Sequence, residues 1–259
     1  MKTGDTNPLH AFAGWASGVD HHWSELATER AKNAFIDIIA VMIPGARETV
    51  SKKVYALAKN WGSGRCTAVG FEAGLSAPMA AMVNGTTAHA IDFDDNFDPA
   101  KAHATAVLAP ALLALAEDRD LNGPALIDAY IVGLQIIGRV GQGVNPFHRN
   151  RGWHATATVG AVGSAAGCAR ILGLNADRTA HAISLATSMS GGFMSQFGTM
   201  TKPLHAGFAA SAAVKAALFA EAGITAGDQT LHASNGMGTL MVGQDVEALR
   251  ASMVGKAEH

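Results

Sequence analysis

The residues with the most obvious chemical use lie in three short strings. The first is Ala88-His89-Ala90-Ile91-Asp92-Phe93-Asp94-Asp95, followed closely by His103. The second is Gly152-Trp153-His154-Ala155-Thr156-Ala157-Thr158, and the third is Thr199-Met200-Thr201-Lys202-Pro203-Leu204-His205-Ala206-Gly207. Each sets an acid, a histidine or a lysine beside an Ala- and Gly-rich run that reads as buried helix. Burying ionisable groups is costly unless they are paired or used, so three such strings predict one shared polar cavity. Histidine moves protons near neutral pH. A lysine can hold a carboxylate or neutralise charge that develops in a carbanion-like state. The chemistry these residue types suggest is proton transfer on an anionic small molecule.

Each candidate also has a plainer reading. Asp92 sits between Ile91 and Phe93 in an apolar context, whereas a solvated acidic loop is the bland alternative for Asp94, Asp95 and Asp98. The stretch Asp94-Asp95-Asn96-Phe97-Asp98 also fits the DDxxD pattern by which all-α terpenoid synthases hold magnesium. Against that rival, no second acidic metal motif occurs, and aromatics make up only 6% of the chain. His103 precedes an apolar helix, a place that favours anions; alone it reads as a structural histidine. His154 opens a helix that it could simply cap. Lys202 needs an anionic partner, which a substrate carboxylate or Asp92 would supply. His89, His181 and His205 read as hydrogen-bonded core residues, and the remaining histidines follow no usable pattern. No HExxH, GxSxG or intact GxGxxG string is present. Two cysteines, Cys66 and Cys168, are too few for an iron–sulfur cluster and are expected to be reduced.

The elements that must carry these strings are helical. Leu108, Leu112 and Leu115 mark one helix face, and Leu126, Tyr130, Leu134 and Ile137 another, with Pro124 placed at a helix start. Asn175 is a plausible N-cap, and the helix-forming run from Ala209 stops at Gly223. Gly160, Gly163 and Gly167 recur at three- and four-residue spacing, which predicts a close helix–helix approach. Cys66–Val69 is the one strand candidate. The fold class is therefore all-α, an Ala/Gly-rich multi-helix domain spanning 1–259, with 223–259 as a helical tail or linker remnant. The net charge of −2 and absence of basic–aromatic interleaving exclude a nucleic-acid footprint. The most apolar stretch, Ala104–Ala116, is too short to span a bilayer, and the N-terminus lacks a signal-peptide core. A cytoplasmic location with no membrane association is the expectation.

The strings together resemble the MmgE/PrpD family over about Ala31 to Gly223. In that family the first string usually reads DFDDT with a histidine several residues on. Asp92 fits the acid and His103 the histidine, while Asn96 replaces the threonine and His103-Ala104-Thr105 replaces HPS. His154 fits the histidine of GWHxT, and Lys202 fits the lysine of MTKPLHAG without departure. The resemblance implies a lyase, either dehydratase or decarboxylase, acting on a small di- or tricarboxylate such as 2-methylcitrate or cis-aconitate. It implies Asp92, His103, His154 and Lys202 as catalytic residues, with Asn96, Lys202 and His103 binding substrate, and neither metal nor cofactor. Epimerisation of a dicarboxylate by the same proton chemistry is the alternative. Family members continue into a second domain, so a partner polypeptide supplying it is a further expectation, as is a homodimer paired through helical domains. Sedimentation velocity at micromolar concentration is expected to show the dimer; a 26.6 kDa monomer alone would contradict it.

Overall fold

Small side chains let the helices of this protein pack unusually close. A computed structural model describes residues 7–243. Among them are eleven helices and one short strand, with no sheet. In chain order the helices are α1 (Pro8–Gly18), α2 (Glu25–Gly45), α3 (Thr49–Trp61), α4 (Ala77–His89), α5 (Thr105–Arg119), α6 (Gly123–Val144), α7 (Phe147–Asn150), α8 (Ala155–Ile171), α9 (Ala176–Met189), α10 (Thr201–Glu221) and α11 (Met237–Val242). The all-α reading holds. The strand lies earlier than the sequence suggested: β1 is Ser63–Cys66, bridged to Leu75, and Thr67–Val69 follows it outside the strand. Thr67 and Val69 instead bond to side chains, their amides reaching Glu117 and Asn84. The Val246-Glu247-Ala248-Leu249 pattern lies outside the described residues, as do the first six residues of the chain.

α8 is the axis of the core. All of its residues are buried, and it packs against α5, α6, α9 and α10. Its glycines serve the approach their spacing implied: a Cβ on Gly163 would stand 2.6 Å from the Ile137 backbone nitrogen of α6. Pro124 falls in the first turn of α6, the Asn175 side chain caps α9 by accepting from the Arg178 amide, and Gly223 follows α10 with φ 91°. α6 and α10 are long and apolar enough to cross a bilayer, but 56% and 72% of their most apolar windows are buried within the protein, as in core helices. At the far end of α8, Arg170 ties α1 down. Its guanidinium pairs with Asp128 at 2.7 Å and donates to the carbonyls of Ala16, Ser17 and Val19, satisfying the end of α1.

The crossing that matters most for function joins α4 to α10. These are the most extensively packed pair of helices, and they meet at Gly85 and Gly207. A Cβ on Gly207 would collide with the Met82 carbonyl oxygen and with Thr86 Oγ1. Replacing a helical glycine by alanine gains about 1 kcal/mol of helix propensity. Forcing a methyl against backbone costs about 1–3 kcal/mol. Gly207→Ala is therefore expected to lower the thermal midpoint, whereas Gly14→Ala, in α1 with open space around the new Cβ, raises it. Calorimetry or circular dichroism melts on the two variants check the opposite signs.

Candidate active site

One helix end and three helix starts converge on one place. α4 ends at His89, and the chain then turns through Asp92, whose φ of 55° lies in the left-handed region. Aspartate tolerates that conformation because its short side chain bonds locally. His103 stands two residues ahead of α5, its amide donating to Thr156 Oγ1 at 3.0 Å. His154 is the residue before α8; it does not cap that helix with its side chain. The Gly152–His154 string is instead pinned against residues 192–194. The His154 amide donates to the Gly192 carbonyl at 2.9 Å, and the Met194 amide to the Gly152 carbonyl at 2.7 Å. Lys202 lies in the first turn of α10.

The structure brings all four of these residues together. Lys202 Nζ donates to Asp92 Oδ1 and lies 5.4 Å above the Phe197 ring. His103 Nε2 is 3.9 Å from Asp92 Oδ1. His154 stacks edge-on against Phe197, with centroids 4.9 Å apart. His103, His154, Lys202 and Asn96 line one cavity of about 370 Å³, and Asp92 reaches it through its bond to Lys202.

Two sequence readings are corrected. Asp92 was the acid expected in an apolar setting, yet its side chain is 58% exposed and both flanking residues, Ile91 and Phe93, face outward. The buried acid is Asp94, read as a loop residue. It is shared between His89 Nδ1 at 2.9 Å and His103 Nδ1 at 3.3 Å, the latter without hydrogen-bond alignment. The DDxxD rival also fails geometrically, because the segment is not helical and its carboxylates diverge. Asp95 accepts from the Thr105 amide at 3.0 Å, and Asp98 pairs with Lys101 on the surface.

Sequence reasoning treated His89 and His205 as core residues only. Both are buried, but they belong to the site. Ring centroids run from His103 to His89 at 4.6 Å, from His89 to His154 at 5.9 Å and from His154 to His205 at 5.3 Å. His181, by contrast, accepts from the Ala226 amide on the other side of α9. The signal for His89 and His205 was available: each stands three residues from a chosen candidate, and His205 lies one helical turn from Lys202 in α10. Arg149 and Lys101, which also line the cavity, sit in strings with no pattern to single them out.

The imidazoles are pushed in opposite directions. Burial favours neutral His103, but the Asp94 carboxylate outweighs burial and raises its pKa above 6.5. Burial would likewise raise Asp94, yet the His103 imidazole beside it and its hydrogen bond to His89 hold it down at about 2. Burial and the neighbouring cations push His154 down to about 3, and burial lowers His205 as well. His154 Nδ1 and His205 Nδ1 are 3.1 Å apart, so one ring donates and the other accepts. That bond leaves Nε2 of His154 as the ring nitrogen available to a ligand. At Asp92 the Lys202 ammonium overcomes the effect of burial and lowers the pKa.

The same atoms define where a metal could sit. His89, Asp92, Asp94 and His103 each offer one ligand atom, all within 4.8 Å of one another. Two imidazoles and two carboxylates suit a zinc-like ion better than magnesium, which prefers oxygen. In this structure Asp94 is shared by two histidines and Asp92 is bound by Lys202, so each carboxylate already has a cationic partner.

The sequence profile of the MmgE/PrpD N-terminal domain matches residues 10–249. Cis-aconitate decarboxylase of Mus musculus is 30% identical over 251 residues, covering 92% of this chain and 50% of the mouse protein. The Aspergillus terreus protein of that name is 32% identical, over 91% of this chain and 51% of its own length. The chain thus spans about half the length of the curated relatives it matches.

The pKa shifts fix the sign of the acid response. A neutral buried His154 takes no proton until about pH 3, whereas the unfolded chain does so near 6.5. His148, held down to about 4 by burial, behaves alike. Stability is therefore expected to fall as pH drops from about 6.5 toward 3, and Asp94 adds a loss between about 3.8 and 2. Imidazole NMR titration should show His154 neutral at pH 5 while His103 is protonated there, and Asp94→Asn should lower the His103 midpoint. An unshifted His103 in that variant would remove the Asp94 account.

Proposed function

The chain belongs to the MmgE/PrpD family, and from that premise we propose that it carries the proton-transfer centre of a lyase acting on a small polycarboxylate. Cis-aconitate is the first substrate to test, because it is named in the relatives. The observation that carries this reading is the convergence of His103, His154 and Lys202 on one cavity, with His103 beside Asp94, His154 bonded to His205 and Lys202 bonded to Asp92. The volume of about 370 Å³ lies within the range of small-molecule sites and accommodates a tricarboxylate.

The residues divide the work by protonation state. Decarboxylating a β,γ-unsaturated acid breaks the C–CO2 bond, and its electron pair becomes the new double bond. The former double bond takes one proton at its far carbon, and CO2 departs. His103 is the donor, since Asp94 keeps it charged, and its partial exposure lets it reload from solvent. Lys202 holds a substrate carboxylate, exchanging part of its bond to Asp92 for it. Asn96 adds a polar contact at the cavity wall. Neutral His154 offers an acceptor, which dehydration requires for the α-proton and simple decarboxylation does not. A homodimer and a cytoplasmic setting are part of this proposal.

The test is turnover of cis-aconitate and 2-methylcitrate in D2O with EDTA. The expected outcome is CO2 or water release that survives chelation, with one deuterium incorporated on decarboxylation. His103→Gln and Lys202→Ala should each reduce turnover by about a hundredfold or more. Deuterium exchange without loss of CO2 or water would replace the lyase by an epimerase. Activity abolished by EDTA and restored by zinc would shift the reading to the His89, Asp92, Asp94 and His103 ligand set.

A further inference from the structure

We infer that Arg149 is the residue that grips a non-reacting carboxylate of the substrate and so sets preference by carboxylate number. This rests on the polycarboxylate reading above and deepens it. The argument is a count of charge around the cavity. Its cationic lining residues are Lys101, His103, Arg149 and Lys202. Lys101 is paired with Asp98 at 2.9 Å, His103 lies 3.3 Å from Asp94, and Lys202 is bound to Asp92. Arg149 alone among these four has no acidic partner within the described residues. Three cations are therefore locally neutralised, and the remaining uncompensated positive charge at the cavity is the Arg149 guanidinium.

A tricarboxylate entering this cavity brings more negative charge than Lys202 and His103 can balance, since each already faces an aspartate. An uncompensated arginine supplies what is lacking, in a planar fork that matches a carboxylate bidentately. The backbone that carries it is held in place. Arg149 sits in α7, whose neighbouring His148 is fully buried and bonded through Nε2 to Thr158 Oγ1 of α8 at 2.8 Å. The Trp153 ring lies over His148, with centroids 6.3 Å apart, and Trp153 itself lines the cavity. The arginine is thus an exposed side chain on an anchored turn, and Asp98, the acid that also lines the cavity, is paired with Lys101. Its place in α7, outside the three strings that carry the proton chemistry, fits a residue that selects substrate without moving protons.

Calorimetric titration with tricarballylate and with glutarate tests this, because the two acids differ by one central carboxylate. The wild-type chain is expected to bind tricarballylate more tightly. Arg149→Gln should weaken tricarballylate binding by about ten- to a hundredfold, the range for losing a charged hydrogen-bond partner. It should also bring that affinity down to the level of glutarate while leaving the thermal midpoint unchanged. Arg149→Lys, which keeps charge but not the fork, should recover part of the loss. Lys202→Ala should weaken both acids. Unchanged tricarballylate binding in Arg149→Gln, with the wild type binding normally, would overturn the role of Arg149 and leave the polycarboxylate site standing. A folded wild type that binds neither acid would overturn both.

Discussion

The close crossing of α4 and α10 at Gly85 and Gly207 is the constraint on which the site depends. Gly85 lies one turn before His89, and Gly207 two residues after His205, so the contact sits next to the imidazole cluster. Any side chain at either glycine would wedge the helices apart, with the Met82 carbonyl and the Ala206 carbonyl as the obstacles. The end of α4 carries Asp92 and His89; the start of α10 carries Lys202 and His205. An Asp92–Lys202 bond between residues 110 positions apart exists only because these two helix termini are set at that spacing. The alanine-rich composition serves the same end, since larger residues along α8 and α10 would hold the bundle too open for the four imidazoles to stack.

Within that frame, the electrostatics follow from how few charges are buried and how each is matched. Asp94 is the only carboxylate among the described residues wholly removed from water within the imidazole cluster, and it faces two imidazoles. A buried anion of this kind costs several kcal/mol unless paired, and pairing it with His103 is what keeps that imidazole charged. His154 is buried to a similar extent but faces cations and another imidazole, so it stays neutral. Two chemically identical side chains thus acquire opposite protonation states in one cavity, which is the arrangement proton donors and acceptors need.

Much of this was legible in the residues. Helical periodicity, the Asn175 cap, the glycine spacing in α8 and the three polar strings all correspond to observed features, because each is a local signal. What failed was inference from immediate neighbours. Ile91 and Phe93 suggested a buried Asp92, but the chain leaves α4 there through a left-handed residue, and such a turn carries flanking side chains outward whatever their polarity. Asp94 is buried for a tertiary reason, the approach of His103 from the start of α5, and no local pattern encodes it. Arg149 is likewise placed by the packing of His148 beneath it, so its presence at the cavity depends on contacts between α7 and α8 that the sequence does not announce.

The nucleophiles narrow the chemistry further. Burial pushes the Cys66 thiol up to about 11, and it donates to the Ala114 carbonyl of α5, neither residue lining the cavity. Cys168 is buried within α8 and also pushed up. Thr158 Oγ1 is committed to His148, and Thr156 Oγ1 accepts from the His103 amide. The cavity is thus lined by proton carriers and cations, while the thiols are not part of its lining and the hydroxyl of Thr156, which is, holds His103. A covalent acyl or glycosyl intermediate needs an activated nucleophile beside its base. Breaking C–C or C–O bonds next to carboxylates needs only a donor, an acceptor and fixed positive charge, and those are the groups that the α4–α10 crossing assembles.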